Sequence, residues 1–336
     1  VKRQIVWIGR DVELPLIGCI AFGVIDRGTN LLQIRPASGC NLCCPFCSVD
    51  EGPCSKTRVT QYFVEVDYLL EYAKALARMK NSENLEMHID GCGEPSIHPN
   101  LSDLVQGLSE IENVKIISMQ TNGTLLNERE VEELSEAGLT RFNLTINALD
   151  DELAKILAGT ERYDVHKVVR IAEAISESSS DLLIAPVWME GVNDLEILKI
   201  IEFAKEIGAG KNFPPLGIQN YLIHRMGRKM KGIRQVPWRF FYEKLRKLEE
   251  EHKIKLILSP KDFGIEKISQ VLPLAFRKFE KTTVKIEAPG WMKGEALGVA
   301  RDRVITVVDA ENIEMGSKVK VRILSNKHNI YVARAV

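Results

Sequence analysis

No cysteine lies beyond Cys92 in this 336-residue chain, and the seven that occur are not spread as a secreted disulfide framework would spread them. Four of them, Cys40, Cys43, Cys44 and Cys47, fall within eight residues. Such clustering favours metal ligation. There is no run of about 18 uncharged apolar residues, so no transmembrane helix is expected. Val1 to Trp7 lacks the apolar core of a signal peptide, which makes a cytoplasmic location without membrane association the expectation. No phosphate-loop sequence occurs, and His88, His98 and His224 stand at no metal-ligand spacing. The net charge is only −1, but it is unevenly laid out. Arg225, Arg228, Lys229, Lys231 and Arg234 form a basic run with no acid inside it, and from Phe276 onward twelve basic residues face seven acidic ones. These stretches read either as solvated surface or as surface that tracks phosphates.

What is present, over the middle of the chain, is an alternation of short apolar runs and helical periodicity. Strands are expected at Leu31–Ile34, Leu85–Ile89, Val114–Met119, Phe142–Ile146, Leu182–Trp188 and Leu216–Ile223. Helices are expected between them at Asp67–Lys80, Asn100–Ile111, Asn127–Glu136, Val165–Ile175 and Asp194–Ile207, with another at Trp238–Glu251. Six strand–helix units in a row predict an α/β fold with a parallel sheet, curled by right-handed crossovers into a partial TIM-like (β/α)6 barrel. Its chemistry would sit at the C-terminal ends of the strands. After about residue 275 short strands alternate with Pro289-Gly290, Lys293-Gly294, Gly316 and Ser325-Asn326, the rhythm of a small all-β barrel of OB-like size. The expected division is an N-terminal β extension over 1–29, a barrel over 30–260, a linker over 261–279 and the small barrel over 280–336.

The densest chemical signal is Cys40-Asn41-Leu42-Cys43-Cys44-Pro45-Phe46-Cys47, in the loop after the first strand of the repeated units. Its Cys-x3-Cys-x2-Cys spacing resembles the radical S-adenosylmethionine superfamily, a likeness that covers roughly residues 30 to 260. The resemblance implies that Cys40, Cys44 and Cys47 hold three irons of one [4Fe-4S] cluster. The fourth iron would chelate S-adenosylmethionine, and Phe46 would pack near the adenine. It also implies reductive cleavage to a 5′-deoxyadenosyl radical, with electrons from a donor such as a ferredoxin or flavodoxin. Soft, anionic thiolates suit such a cluster. Cys43 allows another reading, a four-thiolate zinc site, although structural zinc pairs are normally well separated. Otherwise it is a buried small hydrophobe. Cys19, Cys54 and Cys92 form a conceivable second ligand set.

The segment His88-Ile89-Asp90-Gly91-Cys92-Gly93-Glu94-Pro95 resembles the family's glycine–glycine–glutamate motif, with Cys92 in place of the first paired glycine. Gly91, Gly93 and Glu94 are the implied receivers of the methionine amino group, although a plain strand–loop turn would read the same way. Thr121 and Asn122, after the third strand, and Thr145 and Asn147, on one face of the fourth, complete the cofactor set that the resemblance implies. Residues from about 280 resemble the TRAM domain, an RNA-binding barrel, on segments such as Gly316-Ser317-Lys318-Val319-Lys320-Val321. The combination implies an archaeal-type RNA-modification enzyme with RNA, most plausibly tRNA, as partner. Arg225, Arg228, Lys229, Lys231 and Arg234 would contact it, as would Lys318, Lys320 and Arg322. A radical enzyme acting on a small molecule, peptide or protein, and a non-enzymatic metal-bearing RNA-binding protein, are the alternatives.

Overall fold

The computed structural model describes residues 3–12 and 14–336. Contacts sort the chain into two compact units. The first comprises the N-terminal residues up to Gly39, Ser55–Ile116 and Lys267–Val336; the second comprises Cys40–Cys54 and Ile117–Glu266.

In the first unit, Leu31–Arg35 and Leu85–Ile89 pair in parallel, and Gly23–Asp26 returns antiparallel along Leu31–Arg35. Gly23–Asp26 is buried throughout and Leu85–Ile89 nearly so, even though Glu86 and His88 alternate there with Leu85, Met87 and Ile89. The helix Val66–Lys80 buries Leu69, Leu70, Ala73, Leu76 and Ala77, the helical stripe expected from the sequence. It ends where Asn81 turns left-handed at φ 45°. Gln4–Ile8 pairs in parallel with Thr60–Val64, forming a two-stranded sheet of its own. Thr60–Val64 escapes sequence reading because its partner lies more than fifty residues away and no turn links them.

The C-terminal strands Lys281–Pro289, Ala296–Ala300, Arg303–Val308, Lys318–Ser325 and Val332–Ala335 close into a barrel. All its pairings are antiparallel except that between Arg303–Val308 and Val332–Ala335. Register shifts after Ile286 and after Ile323 bend the long strands so that the sheet can close. Val284, Ile286, Ile305, Val307, Val321, Ile323, Tyr331 and Ala333 fill the interior. The barrel is tied to the rest of its unit by polar contacts as well as packing. Val304 N donates to Ile17 O at 2.8 Å and Tyr331 N to Gly18 O at 2.9 Å. Tyr62 donates its hydroxyl to Pro289 O at 2.7 Å, and the Arg58 guanidinium lies 4.0 Å over the Trp291 ring.

In the second unit, Val114–Thr121, whose first residues belong to the first unit, pairs in parallel with Arg141–Leu144, and that strand with Asp181–Ile184. Ile184 bridges to Leu216, and Val187–Trp188 pairs with Gln219–Asn220. The strand expected over 216–223 is therefore only two residues long. Pro214 and Pro215 lack amide donors ahead of it, and the chain leaves the sheet after Asn220. Helices Glu128–Glu136, Val165–Glu177, Asp194–Glu206 and Trp238–His252 match expectation. Asp151–Ala158 is additional: Asp150 caps it by accepting from Leu153 N at 2.9 Å, and Gly159 ends it at φ 69°. No helix of the described residues is long and apolar enough to cross a membrane.

One buried ion pair ties the first unit together. Lys80 Nζ lies 2.7 Å from Asp26 Oδ1, with both side chains buried, and Asp26 Oδ2 accepts from Leu272 N at 2.9 Å. Removing the cation strands a buried carboxylate, a loss of about 3–5 kcal/mol. Lys80→Ala is expected to lower stability by that order in denaturant titration, while Lys80→Arg costs less.

Candidate functional site

The segment from Cys40 to Cys54 has almost no regular structure, so its shape is imposed by its neighbours. Cys43 N donates to Ala158 O at 2.9 Å, which seats the loop on the end of the helix Asp151–Ala158. Gly159 is needed there, because a Cβ would overlap the Cys43 carbonyl and its φ is positive. Within the loop, Cys47 N donates to Cys44 O at 3.1 Å. Asn41 donates through Nδ2 to Thr124 Oγ1 at 2.7 Å, and Asn122 Nδ2 donates to Asn41 Oδ1 at 3.1 Å.

Cys40, Cys44 and Cys47 are half-buried cysteines on this loop. Cys40 Sγ accepts from Leu42 N at 3.4 Å and lies 3.9 Å from Asn122 Nδ2. Burial pushes the Cys44 thiol up to about 12; neighbouring Cys47 adds to this and Arg228 opposes it. Its proton therefore stays until a metal replaces it. Cys43 is neither a zinc ligand nor a lone buried thiol: it is half-buried and disulfide-bonded to Cys54, with Cα atoms 5.8 Å apart. This pairing removes one sulfur from the four-thiolate reading and Cys54 from the second ligand set. Cys19 and Cys92 are buried in the other unit, where desolvation raises Cys19 to about 12 and Cys92 donates to Ile20 O. Among the described residues no group of three or more His, Cys, Asp or Glu is placed to hold a single metal ion. A cube of four irons asks for something different, one thiolate per iron, and three cysteines on one loop fit that demand.

The other expected residues are placed as follows. Phe46 is half-buried beside Cys47 in the chain. Thr121 is buried and its hydroxyl accepts from Gly123 N at 3.0 Å. Asn122 is turned to the cysteine loop. Asn143, Thr145 and Asn147 share the more open face of their segment, alternating with buried Phe142, Leu144 and Ile146. Thr145 Oγ1 accepts from Gln120 Nε2 at 3.0 Å, while Asn147 Oδ1 accepts from Val187 N at 2.9 Å. Asn193, at the N-cap position of Asp194–Glu206, donates through Nδ2 to Asn147 O and Val187 O rather than capping the helix with its side chain.

In the first unit, Cys92–Gly93 pairs in parallel with Ser38–Gly39, and Glu94 N donates to Gly39 O at 2.8 Å. Gly93 sits at φ 146°, and any Cβ there would overlap the Gly39 carbonyl, so this glycine is dictated by backbone approach. Gly91 lies beside the Ala37 carbonyl. Glu94 is 3% exposed; its Oε1 accepts from Ser96 N at 3.1 Å and Ser96 Oγ at 2.7 Å. The sequence does not disclose the fork beneath this motif. Arg35 meets Asp90 through Nε at 2.9 Å and Nη2 at 3.0 Å, and Gln33 Nε2 donates to Asp90 at 2.6 Å.

Among the predicted cations, Arg225, Lys229, Lys231 and Arg234 are exposed. Arg228 departs from them. Its guanidinium pairs with Asp50 at 3.1 Å and enters the cysteine loop, so its donors are not presented to a phosphate. Lys318, Lys320 and Arg322 all point outward from one barrel strand, alternating with Val319, Val321 and Ile323.

A parallel α/β sheet with cysteines on the loop after its first strand defines a class. The family model for the Radical SAM superfamily matches residues 34–204, half of the chain, and the chain belongs to that superfamily. An uncharacterized protein of Methanocaldococcus jannaschii is 45% identical over an alignment of 355 positions, covering all of this chain and 81% of that one. A GTP 3′,8-cyclase of Clostridium botulinum is 32% identical over 184 residues, 54% of each chain. Among solved structures, Streptococcus suis SuiB bound to precursor peptide SuiA aligns with a TM-score of 0.51 at 19% identity, over 69% of this chain and 48% of that chain, a likeness of fold alone. As a superfamily member the protein binds a [4Fe-4S] cluster and S-adenosylmethionine.

Four substitutions test this geometry. Gly93→Ala is expected to destabilise the fold by at least about 1–3 kcal/mol, the cost of a non-glycine residue in that backbone region, measured by thermal unfolding. Cys43→Ala is expected to retain iron after anaerobic reconstitution, whereas Cys40→Ala and Cys47→Ala lose most of it, measured as iron and sulfide per chain.

Proposed function

We propose that the protein is a radical S-adenosylmethionine enzyme that modifies RNA, most directly a tRNA nucleoside, with Cys40, Cys44 and Cys47 as cluster ligands. When bound, the cluster and S-adenosylmethionine supply a 5′-deoxyadenosyl radical that takes a hydrogen atom from substrate, given one electron from a donor such as a ferredoxin. The protein's own residues hold and orient these groups. The loop fixes the three thiols, and the backbone around Gly91 and Gly93 would receive the methionine end, where buried Glu94 would meet the amino group. Thr121, Asn122, Thr145 and Asn147, at or just beyond the C-terminal ends of parallel strands, would line the nucleoside end.

The RNA reading rests on one observation above others, the register of cations across the C-terminal barrel. Lys281 stands opposite Arg322, Lys285 opposite Lys318, and Arg322 opposite Arg334. Like charges directly opposite on a sheet destabilise it. Lys285 and Arg334 have acid partners, Glu287 at 2.6 Å and Asp309 at 2.7 Å, and the remaining excess of positive charge, with exposed Lys320 amid it, would be compensated by a polyanion. This barrel, over 280–336, lies beyond the region matched by the family model and is proposed as a TRAM-like RNA-binding domain appended to the catalytic part. Arg225, Lys229, Lys231 and Arg234 would add phosphate contacts. The similarity to a GTP 3′,8-cyclase supports a second reading, in which a free nucleotide is the substrate.

Binding of bulk tRNA measured against salt separates the two. The RNA reading predicts a steep dependence of log Kd on log salt. Replacing Lys318, Lys320 and Arg322 together by Gln should reduce that slope by about 2 to 3, roughly one per lost phosphate contact. A flat salt response, or a slope untouched by the triple substitution, would favour the free nucleotide.

A further inference from the structure

We infer that Arg228 is a positioning residue for the iron–sulfur cluster, fixing the loop that carries the thiols and setting the ease with which the cluster is reduced. The inference rests on the assignment of the cluster to Cys40, Cys44 and Cys47. Arg228 comes from the segment after the strand Gln219–Asn220, more than 170 residues from the loop, and its side chain is only 18% exposed. Nε donates to Cys44 O at 2.8 Å, and Nη2 donates to Glu51 O at 2.6 Å. Nη1 lies 3.1 Å from both Asp50 Oδ1 and Cys54 Sγ. The backbone N–H of the same residue donates to Cys47 O at 2.8 Å. One residue thus grips the carbonyls of two of the three ligand cysteines and the returning limb of the loop. Gly227 makes this possible by lying flat against the Cys47 and Ser48 carbonyls.

Only arginine can make these contacts at once, because its planar fork offers donors in fixed directions, whereas a lysine is a point charge on a flexible stem. Its charge has a second consequence. Each electron delivered to the cluster adds negative charge near the loop, and a fixed cation stabilises the reduced form. Asp50, paired to the same guanidinium, works the other way. Because Asp50 sits at φ 53°, a conformation asparagine tolerates well, Asp50→Asn changes the charge and leaves the loop folded.

The experiment uses the full chain, reconstituted anaerobically with iron and sulfide, as wild type, Arg228→Ala, Arg228→Lys, Asp50→Asn and Cys44→Ala. Iron per chain, the rate of cluster loss to a chelator, and the midpoint potential from an EPR-monitored titration are read for each. Cys44→Ala should lose most of its iron. Arg228→Ala should release its cluster several-fold faster and titrate at a more negative potential. Arg228→Lys should recover the potential but not the resistance to chelator. Asp50→Asn should titrate at a less negative potential with wild-type unfolding of the iron-free chain. Wild-type chelator resistance in Arg228→Ala together with an unmoved potential in Asp50→Asn, alongside an empty Cys44→Ala, would overturn the role of Arg228. A full cluster in Cys44→Ala would overturn the ligand assignment and the inference with it.

Discussion

A loop without helix or strand cannot hold three thiols in place by itself, and the cysteine loop of this protein depends on hydrogen bonds supplied from far along the chain. Its amide at Cys43 is taken by the end of a helix, Asn41 is held by Thr124 and Asn122, and the carbonyls of Cys44 and Cys47 are taken by Arg228. Each of these would otherwise be a backbone or amide group half removed from water, at a cost of about 1–3 kcal/mol apiece. Satisfying them and fixing the loop are the same event. The sheet matters to the chemistry because it places those partners at or beyond the C-terminal ends of its strands.

The glutamate motif follows a related logic in the other unit. Gly93 and Gly39 bring two backbones so close that only glycine fits, and the Arg35–Asp90 fork braces the strand end that leads into the motif. The Cys92 sulfur, between Gly91 and Gly93, is buried against Ile20 O and Arg35. The C-terminal barrel shows the opposite economy. Its interior is an ordinary apolar core, while its outer face sets cations opposite cations, two of them, Lys285 and Arg334, paired with Glu287 and Asp309.

Much of this was legible from the residues. The strand–helix rhythm survives because strands buried on both faces and amphipathic helices carry different periods, and the cysteine spacing is local by nature. The closed five-stranded barrel was legible from its turn residues. What escaped depends on distance. Thr60–Val64 finds its partner at Gln4–Ile8, and nothing in either segment announces the other. Cys43 and Cys54 are eleven residues apart, a spacing that fixes neither pairing nor geometry. Arg228 looks like one more cation in a basic run, and only its acceptors distinguish it. The helix Asp151–Ala158 was within reach, since Asp150 and Gly159 are its capping signals, but eight residues carry too little periodicity to stand out.

The central claim is that this chain makes a radical from S-adenosylmethionine and directs it at RNA. The most direct measurement is formation of 5′-deoxyadenosine by the anaerobically reconstituted, dithionite-reduced protein, with and without bulk tRNA. The account predicts 5′-deoxyadenosine that rises when tRNA is added. Absence of the product from a sample whose cluster is verified as reduced would contradict the radical chemistry, and product indifferent to tRNA would contradict the RNA substrate.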